Sequence, residues 1–325
     1  MRRLAALMLL FLGLATPPAR ADVLYVLNSG DAEIMVLDAT TRQEIRRIGV
    51  LREAHHLVWA PDRSVLLIGD SGGNEMLFVQ PATGEVLRRE RISNPYHMEF
   101  SPDGKHLVVT SLRRNQVDIY AWNGTDLALR ARLRMPDKPS HLAFRPDSKI
   151  VYVTLQGSRA MAAISLETQL PLWQMEVGRE PAGVIWHNDR LLVGIMGSDH
   201  VAVVNPETRA VERTIFTGRG AHALFVGPNQ GPVYVTSRVD SRITALDPTT
   251  LQMTQSWVVP GGPDCLTFDP EGRIWATLRW SGRVGVLDPE TGAQESFRIG
   301  RSPHGILYVP VRPTAAAPRT ASATR

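Results

Sequence analysis

Short runs of apolar residues separated by polar turns repeat along this chain with a period of roughly 40 residues, the length of a propeller blade. In each repeat an aromatic residue ends an apolar run and is followed at once by a polar turn. In chain order these aromatic residues are Trp59, Phe100, Phe144, Trp186, Phe225, Phe268 and Tyr308. Their spacing varies little from one repeat to the next. Units of this length that hold several short strands predict the blades of a β-propeller.

The interior of each unit follows one pattern of strands and turns. After the aromatic residue and its turn comes a β-branched strand, VYVT at residues 151–154 and 233–236 and IWAT at residues 274–277. A polar turn then leads to a third strand such as VGVLD at residues 284–288, followed by a more polar fourth strand. Helical periodicity is absent, which excludes repeat proteins that carry a helix in each unit.

The two ends of the repeat region complement each other. The chain enters the pattern at Val23 with the second strand of a unit, and the last unit stops after the strand that contains Tyr308. Joining these strands makes six complete units and one shared unit. We therefore predict an all-β, seven-bladed β-propeller whose last blade is closed by N- and C-terminal strands, an arrangement that leaves no open sheet edge in the ring.

The turns and strands of the repeat resemble a known family. The Pro102-Asp103-Gly104 turn and the VYVT strands are similar to the YVTN-type β-propeller repeat family of bacterial periplasmic and surface proteins. The resemblance covers residues 22–310 and implies the fold, but that family has no single chemistry. The last blades, GPDCLTFDPEGRIWATLRWSGRVGVLDPETG, also resemble the streptogramin-lyase-type propeller repeat, which implies a His/Glu cluster with a divalent cation. His304 fits its first position, but no glutamate follows in the neighbouring turn at residues 280–283.

Residues 1–21 have the features of a secretory signal peptide. Arg2 and Arg3 precede an uninterrupted apolar run at positions 4–14, and Ala-Arg-Ala at residues 19–21 is a typical cleavage site. The apolar run is too short to span a bilayer, which needs about 20 residues. We therefore expect a periplasmic protein with no membrane anchor.

The remaining length divides into a propeller and a tail. Residues 22–310 carry the repeats, and residues 311–325 are rich in Pro, Ala and Thr without apolar periodicity, which predicts a disordered tail. The single cysteine, Cys265, excludes an intramolecular disulfide. No feature of the blades suggests self-association, and we expect a monomer.

The net charge does not indicate a nucleic-acid partner. The whole sequence has a formal charge of +4 and a pI near 9.5. Residues 1–21 and residues 311–325 each contribute three arginines and no acidic side chain, and without these arginines the acidic side chains outnumber the basic ones slightly. The propeller body is therefore close to neutral, and nucleic-acid binding is not expected.

Two adjacent positions of the repeat collect six of the nine histidines. Three places before the aromatic residue stand His56, His97, His141, Gly183, His222, Cys265 and Gly305. One place earlier stand His55, Tyr96, Ser140, Ala182, Ala221, Asp264 and His304. Imidazoles, a thiol and a carboxylate are ligands of copper and zinc. We predict a copper or zinc site with the ligands His56, His97, His141, His222, Cys265 and His304, and Glu99 is the best carboxylate companion of His97.

Arginines occupy several turns on the face where the inner strands begin. Arg113, Arg238 and Arg279 lie in turns between second and third strands, which share that face in a propeller. Arginine forks suit carboxylate and phosphate groups. We predict that these three arginines bind a small anionic ligand or cofactor above the histidines.

The sequence leaves several functions open. The favoured hypothesis is a binding protein that holds a transition metal or an anionic cofactor at the channel mouth, for delivery or for docking of a partner protein. The alternatives are a metal-dependent lyase, hydrolase or oxidoreductase on the same face, or a protein-interaction scaffold. In the last case the histidines would hydrogen-bond to neighbouring blades and point apart. Metal-ligating geometry separates these hypotheses.

Overall fold

The computed structural model describes residues 22–311, and these form 28 β-strands and one short 3-10 helix, Pro228–Gln230. The predictions for the signal peptide and for nearly all of the tail lie outside the described residues. The strands in chain order are β1 (Val23–Asn28), β2 (Glu33–Asp38), β3 (Glu44–Gly49), β4 (Ala54–Trp59), β5 (Leu66–Asp70), β6 (Glu75–Val79), β7 (Val86–Arg91), β8 (His97–Phe100), β9 (His106–Ser111), β10 (Gln116–Trp122), β11 (Leu127–Arg134), β12 (Pro139–Phe144), β13 (Ile150–Leu155), β14 (Ala160–Ser165), β15 (Pro171–Glu176), β16 (Pro181–His187), β17 (Arg190–Ile195), β18 (His200–Asn205), β19 (Ala210–Phe216), β20 (Ala221–Val226), β21 (Val233–Ser237), β22 (Arg242–Leu246), β23 (Met253–Val258), β24 (Pro263–Phe268), β25 (Ile274–Leu278), β26 (Arg283–Leu287), β27 (Gln294–Arg298) and β28 (Pro303–Val309).

These strands form seven antiparallel sheets of four strands, which are the seven blades of a propeller. Blade I contains β28, β1, β2 and β3, and blades II to VII each contain the next four strands of the chain, from β4–β7 to β24–β27. The first strand of each blade contacts the first strand of the next blade, and the contacts close on themselves through β28 and β4. These seven strands therefore surround the central channel, and the predicted seven-bladed propeller is confirmed.

Blade I is built from both ends of the described chain. Strand β1 pairs with β28 in antiparallel register, with Val23 opposite Val309 and Tyr25 opposite Leu307. Asp22 strengthens this closure, because one carboxylate oxygen accepts the Tyr308 hydroxyl at 2.8 Å and the other accepts the backbone N–H of Val311 at 2.9 Å. The predicted sharing of the last blade by the two termini is confirmed.

The hydrophobic core lies between the blades rather than at the axis. Seven clusters of buried side chains are present, and each joins two adjacent blades. The β-branched second and third strands are buried on both faces, whereas the fourth strands alternate exposed and half-buried positions. This pattern explains the apolar runs of the sequence, since a sheet covered on both faces needs no polar alternation. Within residues 22–311, no helix has both the length and the apolar character needed to cross a membrane.

Candidate metal centre

A β-bulge near the start of the inner strands determines which side chains line the channel. In blade IV, Pro139 pairs with Leu155 and Leu142 pairs with Val153, so that Ser140 and His141 together face one residue of β13. A bulge interrupts the alternation of a strand and allows two consecutive side chains to lie on one side. Ser140 Oγ is accordingly 2.8 Å from His141 Nδ1.

A threonine of the second strand supports this bulge. Thr154 Oγ1 accepts the backbone N–H of His141 at 3.0 Å and donates to the carbonyl oxygen of Ala182, in the next blade, at 2.8 Å. The corresponding threonines of three other blades also donate to a backbone carbonyl oxygen of the next blade. They are Thr110, Thr236 and Thr277. In these four blades the threonine therefore joins the start of the inner strand to the next blade.

The bulges create two layers of channel-lining residues. The upper layer, nearer the turns that carry the arginines, consists of His55, Tyr96, Ser140, Ala182, His222, Asp264 and His304. The lower layer consists of His56, His97, His141, Gly183, Ala223, Cys265 and Gly305. Both predicted columns of histidines thus face the channel, one above the other.

His222 belongs to the upper layer, whereas the aromatic spacing aligned it with His141 of the lower one. Strand pairing places Ala221 opposite Ser237 and Leu224 opposite Val235, which shifts Phe225 by one position relative to the aromatic residues of other blades. The interval between Trp186 and Phe225 is the shortest in the aromatic series. That short interval was the available signal of the shift.

The imidazole rings of both layers lie in contact. In the upper layer the His55 ring centre is 3.9 Å from those of Tyr96 and of His304. In the lower layer His56 and His97 are 4.0 Å apart, and His97 and His141 are 4.8 Å apart. The His141 and His222 rings, 5.3 Å apart, connect the layers. The structure therefore brings all six predicted channel histidines into one cluster, and they do not point apart.

Asp264 is the only carboxylate of this cluster's upper layer, and its side chain is fully buried. Arg238 donates from Nε to Oδ1 at 2.8 Å, and Arg279 donates from Nη1 to Oδ2 at 3.2 Å. Burial alone raises the pKa of Asp264, but the positive charge of Arg238 is the main opposing contribution, and that pKa lies well below its usual value. Asp264 is therefore an anion at neutral pH.

The His304 ring presents a lone pair to this carboxylate. Its Nδ1 lies 2.7 Å from the carbonyl oxygen of His55, and because a carbonyl only accepts, Nδ1 carries the proton. Burial lowers the pKa of His304 well below its usual value, so the ring is neutral and Nε2 is unprotonated. Nε2 lies 3.7 Å from Asp264 Oδ2 and has no hydrogen-bond partner. Two electron-rich atoms thus face each other in a buried space.

Other nitrogens of the cluster also lack partners. Within residues 22–311, Nδ1 of His56 and Nδ1 of His97 are buried without a hydrogen bond. His222 Nδ1 is 3.0 Å from Asp264 Oδ1 but is not aligned for a hydrogen bond. Burial lowers the pKa of His56 and of His222 to about 4, so both rings are neutral near pH 7. Unpaired buried polar atoms are rare in folded proteins, and a bound water, ion or ligand is one of their usual partners.

Cys265 completes a set of three ligands. Within residues 22–311, Asp264, Cys265 and His304 form the one group of three that offers ligand atoms all within 4.8 Å of one another. Burial raises the pKa of the Cys265 thiol, which stays protonated in the absence of a cation. His56, His97 and His141 lie in the layer beneath, and their role as ligands stays a prediction.

The predicted arginines separate into two groups. Arg238 and Arg279 both form salt bridges with Asp264 in the site, and their side chains are 17% and 25% exposed. Arg113 instead forms a salt bridge with Glu53 at the rim, and the structure does not bring it to the other two. Sequence reasoning placed Asp264 near the histidines but did not identify it as the acceptor of both arginines, because that pairing depends on turns of two different blades.

Two places beyond the lower layer, the inner strands carry residues such as Val58, Ile185 and Leu307, which pack against the hydrophobic clusters between blades. Glu99 is the carboxyl residue at these positions. Glu99 Oε1 is 3.9 Å from His97 Nε2, as its position two places along the strand predicts. Protein surrounds the Glu99 carboxyl, and this burial raises its pKa to about 8, although channel water reaches 39% of the side chain.

Comparison with solved structures finds many propellers of the same overall shape. A protein of unknown function from Desulfotomaculum acetoxidans DSM 771 superposes with a TM-score of 0.77 at 11% identity, over 89% of this chain and 99% of that one. The periplasmic gluconolactonase PpgL of Pseudomonas aeruginosa superposes with a TM-score of 0.71 at 20% identity, over 90% and 99%. The dihydro-heme d1 dehydrogenase NirN, solved in complex with DHE, gives 0.66 at 15% identity, over 90% and 78%. At these identities the likeness shows the fold alone.

Comparison with known sequences gives two further results. No functionally curated protein matches the chain. A family model described as YNCE-like beta-propeller matches residues 11–314, which is nearly the whole chain.

Proposed function

The chain belongs to the YNCE-like β-propeller family, and we propose that this member is a periplasmic binding protein that holds one transition-metal ion, zinc or copper, at its channel mouth. Family membership accounts for the scaffold, but a fold does not by itself imply a function. The proposal therefore rests on the side chains of the site. Its periplasmic location rests on the signal-peptide features of residues 1–21.

The observation that carries the proposal is the position of His304 Nε2, which is buried without a hydrogen-bond partner at 3.7 Å from Asp264 Oδ2. Without a cation between them, these two atoms repel each other in a buried environment. Metal bonds to nitrogen and oxygen are about 2.0–2.2 Å long, so one ion fits between them. The Nδ1–H bond of His304 to a backbone carbonyl is also the outer contact that metal-binding histidines usually make.

The donor atoms favour zinc or copper over harder cations. A thiol, an imidazole and one carboxylate are available at Cys265, His304 and Asp264, and His222 supplies a second imidazole next to them. Calcium and magnesium prefer oxygen ligands throughout. Asp264, Cys265 and His304 are the three that converge, and His222, whose Nδ1 lies 3.0 Å from Asp264 Oδ1, is the candidate for the fourth ligand of a tetrahedral zinc site.

Burial favours binding over catalysis. The side chains of Asp264, His222 and His304 are 0%, 2% and 1% exposed. A catalytic metal keeps an open position for water or substrate, whereas a closed set of protein ligands retains the ion. We accordingly propose storage or delivery of the ion, or docking of a partner, rather than metal-dependent turnover.

Metal titration of the purified protein tests the proposal. The metal-free protein should bind close to one equivalent of zinc or cobalt, and cobalt should show a thiolate charge-transfer band that disappears in Cys265→Ser. Both Cys265→Ser and His304→Gln should weaken binding by roughly tenfold or more, since even the outer contacts of metal ligands are worth that much.

His187→Gln serves as the matched control. His187 is also a buried histidine, but its Nε2 contacts the carbonyl oxygen of Pro248 in another blade, away from the cluster. This variant should bind metal as the wild type does. If the wild type binds no metal under any loading condition, or if the three variants behave alike, the proposal is wrong.

A further inference from the structure

Three charged groups surround the buried cluster, and they do not balance. Asp264 carries one negative charge, and Arg238 and Arg279 both direct their guanidinium groups at it. The charged side chains that act on His304, on Cys265 and on Tyr96 are these same three. Together these three groups carry one positive charge in excess before any metal binds.

A bound metal increases this imbalance. A divalent ion adds two positive charges to this excess. Buried charge without a counter-charge is costly, and the cost falls when an opposite charge lies nearby. An anion next to the two arginines therefore makes metal binding at the proposed site more favourable.

The two arginines have unused donors for such an anion. Arg238 directs Nε and Nη2 at Asp264, but its Nη1 meets only the thioether sulfur of Met196, at 3.6 Å. Arg279 directs Nη1 at Asp264, and within residues 22–311 the other nitrogens of its guanidinium group have no hydrogen-bond acceptor. Both side chains are partly exposed toward the mouth, above the buried carboxylate.

We propose that the channel mouth binds a small carboxylate on the outer side of Arg238 and Arg279, together with the metal ion rather than in place of it. This inference rests on the proposed function for the metal, but the arginine site also exists in the metal-free protein. A planar carboxylate matches the fork of a guanidinium group. Because the two ligands carry opposite charges a short distance apart, each increases the affinity for the other.

Formate is the probe, because it is the smallest carboxylate and a weak metal ligand in solution. In the first measurement, the linewidth of ¹³C-formate is followed as metal-free protein is added. In the second, cobalt is titrated in formate and in perchlorate at equal ionic strength. We expect broadening of the formate signal, and cobalt affinity roughly fivefold or more higher in formate.

Two variants test whether the effect of formate on cobalt affinity depends on these arginines. Arg279→Lys keeps the positive charge over Asp264 but loses the fork, and it should abolish most of the formate effect on cobalt while cobalt still binds. Arg219→Gln is the control, because Arg219 is a rim arginine already paired with Asp240. It should behave as the wild type does.

The outcomes separate this inference from the proposed function. Cobalt binding with equal affinity in both salts, and no broadening of formate, overturns the carboxylate site and leaves the metal site intact. Absence of cobalt binding in either salt overturns the proposed function, and the formate linewidth of wild type against Arg279→Lys then decides the carboxylate site alone. An unchanged formate effect in Arg279→Lys also overturns it.

Discussion

At the scale of single residues, Asp264 joins the arginines of the site to its histidines. Its carboxylate is fully buried, and it accepts hydrogen bonds from Arg238 and Arg279 while facing His222 and His304. An uncharged residue at this position would leave two guanidinium groups over a neutral, buried cluster. The charge of Asp264 therefore stabilises the fold, whether or not the proposed cation binds.

Asp264→Asn is expected to lower the free energy of unfolding by about 3–5 kcal/mol, the usual loss when one partner of a buried ion pair is removed. Urea denaturation of the metal-free protein measures it. Asp269→Asn is the matched control, because Asp269 is equally buried but accepts from a single arginine, Arg273, and from Trp275. The control should lose about half as much or less, and a loss below about 1 kcal/mol in Asp264→Asn would contradict the prediction.

The bulged inner strand is the structural element that builds the site. A regular strand would send every second side chain away from the channel, so that His56 and His55, or His141 and Ser140, could not face it together. The threonine opposite the bulge replaces the ladder hydrogen bonds that the bulge removes. In blade V, Gly194 takes its place, and an added Cβ there would lie 2.7 Å from the carbonyl oxygen of His222. That blade therefore packs more closely against its neighbour.

Thr154→Val tests the role of the threonine in this element. The change keeps the shape of the side chain but leaves the N–H of His141 and the carbonyl of Ala182 without their partner. We expect a loss of about 2–4 kcal/mol in the free energy of unfolding, since each unpaired buried group costs about 1–3 kcal/mol. Thr154→Ser retains the hydroxyl and should lose about 1 kcal/mol for the missing methyl group. Equal losses in both variants would show that the hydroxyl contributes nothing.

The whole molecule places six neutral histidines in its channel, and this makes its stability depend on pH. Folding lowers the pKa of His56 and His222 from about 6.5 to about 4, and it lowers the pKa of the other four histidines well below the usual value, in each case mainly by burial. Between these values the unfolded chain binds more protons than the folded one. Acid therefore favours unfolding.

The free energy of unfolding of the metal-free protein should accordingly fall as the pH decreases from about 6.5 toward 4. Each histidine contributes up to about 1.4 kcal/mol per pH unit. Glu99, whose pKa is raised to about 8, acts in the opposite direction, but one carboxyl group cannot offset six imidazoles. Urea denaturation at pH 7, 6 and 5 measures the slope, and His56→Gln should reduce it. A free energy that is constant over this range would be inconsistent with the buried neutral rings.

Much of the architecture follows from the sequence alone, because each blade is specified locally. The spacing of the aromatic residues determines the number of blades, and the incomplete units at the two ends require them to share one blade. The clustering of histidines at two adjacent repeat positions also predicts that they face a common channel. These properties depend on strands that pair with their immediate neighbours along the chain.

Only the tertiary structure decided what the site can do. The register of β20 moves His222 to the upper layer, Asp264 accepts both Arg238 and Arg279, and Arg113 pairs elsewhere. His304 and Asp264, which face each other, lie on strands of two different blades. Distances of a few ångströms between residues a whole repeat apart in the chain depend on how blades pack around the axis and where each bulge falls. Local sequence patterns carry no information on how the blades pack, and on the position of the bulges they offer only the short interval before Phe225.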